Sequence, residues 1–237
     1  VFAMNGAMNG ALNNTAVGYG SLKVLTTGDS NTVMGRAAAD ALTSGGNNTV
    51  IGDSALGTAT TATLNIVMGG DAMSAVPAAQ AVTGVVAIGQ NAAKGSASTT
   101  TGINYTTAVG YNALTALTTG AGNNAVGAYA LAALTSGARN TTLGYNALAT
   151  ADGGESDNVA IGYRAMEVIN NSSSGQNVAI GSYAMSKITT ASVGNCVAIG
   201  YNALTGSSAT SEDGTIAIGS AALQALTTGA KNIAIGF

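Results

Sequence analysis

Aliphatic residues recur along this chain at a nearly constant interval, and each lies directly before a glycine. The thirteen glycines of this pattern are Gly18, Gly35, Gly52, Gly69, Gly89, Gly110, Gly127, Gly144, Gly162, Gly181, Gly200, Gly219 and Gly236. The intervals between them are 17 to 21 residues long. A period this regular indicates a repeat protein in which each unit stacks on its neighbours.

Each repeat carries a short apolar segment that ends at the residue before its glycine, as at Val17, Ile51 and Ile161. That residue and the one two positions earlier share the spacing of a β-strand, and we expect both to face a dry interior. The residue between them is small and apolar in most repeats, as at Ala16. Both strand faces are therefore expected to be dry, one pointing into the coil and the other against another chain.

An Ala-Leu or Ala-Met pair follows the glycine, as at Ala55 with Leu56 and Ala165 with Met166, and its larger side chain is expected to fill a core layer. The spacing of this arm fits a strand or a short helical turn. Glycine-containing turns with Ser and Thr complete the unit. The predicted fold is all-β, a parallel β-solenoid (β-roll) of about thirteen coils, with a single repeat domain over residues 1–237. The chain ends within a repeat, which suggests a fragment of a longer fibre.

Asparagine occupies the first position of the predicted strand in nine repeats. These residues are Asn14, Asn31, Asn48, Asn65, Asn123, Asn140, Asn158, Asn177 and Asn232. Amides stacked in adjacent coils can bond to one another along the stack, so we expect a structural asparagine ladder.

Composition excludes several classes of function. Charged residues make up 7% of the chain, with ten acidic and seven basic residues and no basic cluster, so nucleic acid is not an expected partner. No run of about 18 apolar residues is present, and no membrane insertion is expected. Histidine is absent, which removes the usual catalytic triads and the commonest metal ligand. We therefore expect a protein that is not an enzyme.

The motif Asn-x-Ala-Ile/Val-Gly-Tyr-x-Ala-Leu, best seen at Asn140–Leu148 and Asn158–Met166, resembles the head repeats of trimeric autotransporter adhesins and related repeats of bacteriophage tail fibres. The resemblance covers nearly the whole chain, and the period of 17 to 21 residues is closer to the fibre-type arrays. It implies a parallel homotrimer of β-rolls, located extracellularly on a virion tail or a bacterial cell surface. The implied role is host or surface attachment, with a cell-surface glycan or receptor as a further partner.

Tyrosines follow the motif glycine in five repeats, at Tyr19, Tyr111, Tyr145, Tyr163 and Tyr201. A column of exposed rings can bind sugar, although stacking between adjacent coils accounts for the same column. An alternative function is therefore a stand-alone carbohydrate-binding solenoid. Recurrent Thr pairs in the turns add an ice-binding solenoid to the alternatives, and ordinary turn chemistry also explains them.

Acidic residues cluster in one insert, at Asp152, Glu155 and Asp157, where carboxylate oxygens can hold Ca²⁺. A solvated loop is the simpler interpretation, and no other cofactor is indicated. The single cysteine, Cys196, stands where other repeats carry the ladder asparagine. We expect it to be a buried free thiol.

Overall fold

The computed structural model describes residues 3–6, 9–78, 80–95, 102–151, 153–169, 175–188, 193–206, 213–226 and 229–237. The chain divides into two compact units, Val1–Gly122 and Asn123–Phe237. The fold is an all-β parallel β-solenoid of about eleven turns with repeats of about 18 residues, which confirms the predicted fold class. The single repeat domain over residues 1–237 stays a prediction. No described residue belongs to a helix long and apolar enough to cross a membrane.

Short parallel strands stack in register within each unit. Unit 1 contains β1 (Thr15–Val17), β2 (Thr32–Met34), β3 (Thr49–Ile51), β4 (Ile66–Met68), β5 (Val86–Ile88) and β6 (Thr107–Val109). Unit 2 contains β7 (Asn124–Val126), β8 (Thr141–Leu143), β9 (Val159–Ile161), β10 (Val168–Ile169), β11 (Val178–Ile180), β12 (Lys187–Ile188), β13 (Val197–Ile199), β14 (Ile216–Ile218) and β15 (Ile233–Ile235). Strands β10 and β12 form a separate two-stranded sheet that the sequence analysis did not predict.

The strand faces are oriented differently from the prediction. The middle residue, such as Val50 or Ala160, is fully buried and points into the coil. The aliphatic residue before the glycine points outwards, and Val17 and Leu143 are each 51% exposed. The expectation that this residue faces the interior is wrong, because a period of two separates the faces of a strand without saying which is inside. The middle residue of the strand can be small, because the Leu and Met side chains of the Ala-Leu arm fill most of the interior.

The Ala-Leu arm is neither strand nor helix but a run of turns. Left-handed backbone occurs at the second residue after the motif glycine and again two residues later. After Gly144, for example, φ is 54° at Asn146 and 50° at Leu148. The Asn146 N–H donates to Ala128 O at 3.1 Å, and the Leu148 N–H donates to Ala165 O at 2.9 Å, so the arm bonds to neighbouring coils. A left-handed leucine costs roughly 1–2 kcal/mol. Full burial of its side chain, which contributes roughly 1.5–3 kcal/mol, offsets that cost.

The motif glycines form a column, and at eleven of the thirteen the next coil approaches too closely for any side chain. At Gly69, φ is +133° and an added Cβ would lie 2.5 Å from the Gly89 carbonyl oxygen. A larger residue would have to adopt an unfavourable backbone conformation and also displace the next coil. Glycine is therefore required at this position by both conformation and space.

Ladder asparagines bond to one another in two runs of four, Asn14–Asn31–Asn48–Asn65 in unit 1 and Asn123–Asn140–Asn158–Asn177 in unit 2. At Asn140, the backbone N–H and Nδ2 each donate to Asn123 Oδ1 at 3.0 Å, and Nδ2 also donates to Glu155 O at 2.8 Å. Asn158 donates to Asn140 Oδ1 in the same way. Each buried amide thus holds three consecutive coils together.

Asn232 occupies the same motif position without joining the ladder. The preceding coil has Thr215 at this position, whose hydroxyl accepts from the Asn232 backbone N–H at 3.4 Å. The Asn232 Nδ2 donates to Gly229 O within its own turn. This predicted ladder residue therefore contributes a local turn contact instead.

The glycine column predicts contrasting effects at two adjacent residues. We expect Gly69→Ala to lower the free energy of unfolding by about 3 kcal/mol or more, because its Cβ meets the next coil and its φ is strained. Gly70→Ala is the matched control, since an added Cβ there meets nothing within 4 Å. We expect it to change stability by less than about 0.5 kcal/mol in urea unfolding. Equal effects of the two substitutions would contradict this account.

The asparagine ladder predicts a large loss of stability for Asn140→Ala. The substitution removes the acceptor of two Asn158 donors and leaves Glu155 O without its donor, so we expect a loss of about 3–5 kcal/mol. Asn232→Ala, which breaks only the local contact described above, should cost less than about 1 kcal/mol. Chemical denaturation followed by circular dichroism measures both. A ladder variant as stable as the control would show that the amide bonds contribute no net stability.

Candidate functional site

The outer strand face, formed by the first and third residues of the stacked strands, is uncharged and largely apolar. The third residues are Val17, Met34, Ile51, Met68, Ile88 and Val109 in unit 1, and Val126, Leu143, Ile161, Ile180, Ile199, Ile218 and Ile235 in unit 2. Their exposure includes 50% at Met34 and 36% at Ile180. The first residues are mostly Thr in unit 1 and mostly Val or Ile in unit 2. Apolar rows of this kind are typical of a surface that packs against a partner.

A tyrosine column runs along unit 2 and consists of Tyr129, Tyr145, Tyr163, Tyr183 and Tyr201. Tyr145 and Tyr163 are stacked, with ring centroids 5.6 Å apart and an interplanar angle of 10°. The other neighbouring pairs meet edge to face at 5.3–6.4 Å. The structure thus brings three of the predicted site tyrosines into one column. Tyr129 and Tyr183, one position later in their repeats, complete it.

The two remaining predicted tyrosines, Tyr19 and Tyr111, belong to unit 1. The equivalent positions between them hold Arg36, Asp53, Gly70 and Gln90. Arg36 and Asp53 form an exposed salt bridge of 2.6 Å between adjacent coils. Side chains at the position after the motif glycine therefore stabilise coil stacking in both units. In unit 2 they do so through aromatic rings, and in unit 1 partly through the Arg36–Asp53 salt bridge.

Arg164 lies against the tyrosine column, with its guanidinium carbon 5.6 Å from the centroid of Tyr163 and 5.9 Å from that of Tyr183. Hydrogen bonding to Tyr183, followed by the charge of Glu167, raises the pKa of Arg164, so its positive charge is retained. Hydrogen bonding to Tyr183 likewise raises the pKa of Tyr163. Arg164 Nε lies 2.9 Å from Glu167 Oε1, but the approach is outside hydrogen-bond geometry. The pair holds together by charge without satisfying this N–H.

A polar groove of about 420 Å³ adjoins the end of this column, and we call it the arginine groove. Its lining includes Arg164, Lys187, Tyr201 and Gln224, which belong to four successive coils of unit 2. Ser186 also lines the groove; it is 1% exposed, and its hydroxyl has no hydrogen-bond partner among the described residues. Buried hydroxyls are nearly always satisfied in folded proteins, so this one is unusual.

Among the described residues, the acidic insert does not form a metal site. Asp157 accepts two hydrogen bonds from Arg139, at 2.6 and 2.8 Å, and this interaction holds the pKa of its carboxyl below its usual value. Glu155 is buried and accepts from the Gly153 N–H at 3.0 Å. Asp152 lies outside the described residues. Within the described part of the chain, no three His, Cys, Asp or Glu side chains are grouped to hold a metal ion. The calcium site stays a prediction.

Threonine hydroxyls in the turns bond between coils. Thr26 Oγ1 donates to Thr43 O at 2.8 Å, and Thr43 Oγ1 donates to Thr60 O at 3.0 Å. These hydroxyls support turn stacking, the simpler of the two explanations for the Thr pairs. Cys196 is buried, as expected, and its backbone N–H donates to the last ladder amide of unit 2, Asn177 Oδ1, at 3.0 Å.

Sequence reasoning missed the arginine groove. The sequence does place Arg164 directly after Tyr163 and Lys187 near Tyr183, so two of the seven basic residues lie beside tyrosines of adjacent repeats. This pairing of basic and aromatic residues could have indicated the groove from the sequence. Only the folded structure shows that these residues line the same groove. Comparison with models of protein families, with curated proteins and with solved structures found no match for this chain.

Proposed function

We propose that this chain is a non-enzymatic structural and adhesive segment of an extracellular fibre, of the kind found in phage tail fibres or bacterial surface adhesins. In this proposal it assembles as a homotrimer and contributes to host or surface attachment. The observation that carries the proposal is the outer strand face, whose rows of exposed aliphatic side chains bear no charge.

The chemistry of this face favours further copies of the same chain as its partner. Its side chains recur once per coil, so a surface with the same repeat can match every row, as another copy does when it packs in parallel. Each strand of the main stack has two outward positions, which gives 12 such side chains in unit 1 and 14 in unit 2. Stable interfaces use roughly 20–30 residues on each side. Each unit by itself supplies about half of that number, and the number three comes from the resemblance to trimeric repeats.

Composition supports the non-enzymatic part of the proposal. The chain has no histidine, 7% charged residues and 34 glycines, most of which serve coil stacking or turns in the described structure. Fibres need a repeating, stiff backbone rather than a pocket with matched acids and bases. Extracellular attachment remains the role that the resemblance implies.

Assembly is tested by Ile180→Lys, which places a charge on the outer strand face of unit 2. We expect light scattering with size-exclusion chromatography to give the unmodified chain three times its mass of 22.8 kDa, and the variant a single chain mass. The reason is that an unpaired buried lysine at an interface costs several kcal/mol, on the order of 3–5.

Thr150→Lys is the matched control, because Thr150 is exposed and lies outside the outer strand face. It should leave the trimer intact, and circular dichroism should show both variants folded. A monodisperse monomer for the unmodified chain would exclude the trimer, and an intact trimer with Ile180→Lys would exclude this face as its interface.

A further inference from the structure

We propose that the arginine groove binds an acidic saccharide, a sugar chain that carries a carboxylate. This inference supplies a ligand for the attachment role and so rests on the proposed function. It concerns residues of unit 2 that take no part in the outer strand face. Tyr201, Arg164, Lys187 and Ser186 are the side chains that carry the inference.

The aromatic part of the groove suits a sugar ring. Tyr201 is 55% exposed and is the last ring of the tyrosine column, meeting Tyr183 edge to face at 6.4 Å. Its contact with Tyr183 orients the ring while more than half of its surface stays open. An exposed, oriented aromatic ring can stack on the apolar face of a pyranose.

The polar part of the groove suits a ligand that is rich in hydroxyls. Asn202 and Gln224 present amide groups beside Tyr201, whereas the buried Thr205 donates its hydroxyl to Asn202 O at 3.2 Å. The buried Ser186 hydroxyl has no hydrogen-bond partner among the described residues, and Ser186 lines the groove. An oxygen atom of a bound saccharide would satisfy this hydroxyl, and leaving such a group unpaired is costly. The unsatisfied serine is the observation that points to a ligand rather than to stacking alone.

The charge of the groove favours a negative ligand. Arg164 and Lys187 are positive and Glu167 is negative, giving a net charge of +1 in a chain whose net charge is −3. Arg164 is paired with Glu167, whereas Lys187 has no acidic partner among the described residues. A carboxylate in the groove would pair with Lys187 and lie near Arg164.

The dimensions also fit. The lining residues come from four successive coils, which at about 4.8 Å per coil span about 14 Å. The volume of about 420 Å³ lies in the range of small-molecule sites, roughly 300–1,000 Å³. A short oligosaccharide lying along the stack can therefore contact Tyr201 and Lys187 together.

Binding is tested with the full chain on an array of carboxylate-bearing oligosaccharides, each paired with its neutral methyl ester or unsubstituted counterpart, followed by titration calorimetry of the best pair. We expect the acidic member to bind about tenfold more tightly at low salt, with a preference that falls as salt is raised. Tyr201→Ala should weaken both members about fivefold or more. Lys187→Met should remove the preference and leave the neutral member unchanged.

Matched controls are Lys231→Met, which removes an exposed charge elsewhere in unit 2, and Tyr105→Ala, which removes an exposed ring in unit 1. Both should bind as the unmodified chain does. No binding to any acidic saccharide at millimolar concentration, or binding that Tyr201→Ala and Lys187→Met leave unchanged, overturns the inference. Light scattering in parallel separates the two proposals, because loss of saccharide binding with an intact trimer contradicts only the groove.

Discussion

Backbone hydrogen bonding between successive coils is the constraint on which the rest of this structure depends. In each unit, strands pair in parallel with the next coil, and the turns that connect them also donate to neighbouring coils. A backbone that satisfies its polar groups in this way must follow nearly the same path in every repeat. The glycine column and the left-handed residues of the Ala-Leu arm are consequences, because each allows one coil to lie directly on another.

The narrow coil also explains why the apolar surface is on the outside. The interior is filled by Leu and Met from the arm and by one small residue from each strand, such as Ala160. The larger aliphatic residues of the strand, such as Ile161 and Ile180, have no space there and lie on the outer strand face. The proposed assembly with further copies would cover these Val, Ile and Met side chains.

Departures from the repeat concentrate in the columns that face away from the interior. The position after the motif glycine holds Arg, Asp, Gly or Gln in four of the six coils of unit 1, whereas in unit 2 it contributes rings to the tyrosine column. Where that column meets Arg164 and Lys187, the same stacking that stabilises coils creates the arginine groove. The two proposals are compatible in one repeat, because the outer strand face and the arginine groove use different side chains of each coil.

The sequence by itself determined the repeat, the position of each strand in the main stack and the solenoid class, because a glycine that tolerates no Cβ and an aliphatic residue before it leave a visible period. It also placed the asparagines whose amides bond along the stack. Only the tertiary structure decided which strand face is inside, since a period of two is the same for either orientation. Likewise, the left-handed arm and the grouping of Arg164, Ser186 and Lys187 depend on contacts between coils about 19 residues apart, which no local pattern records.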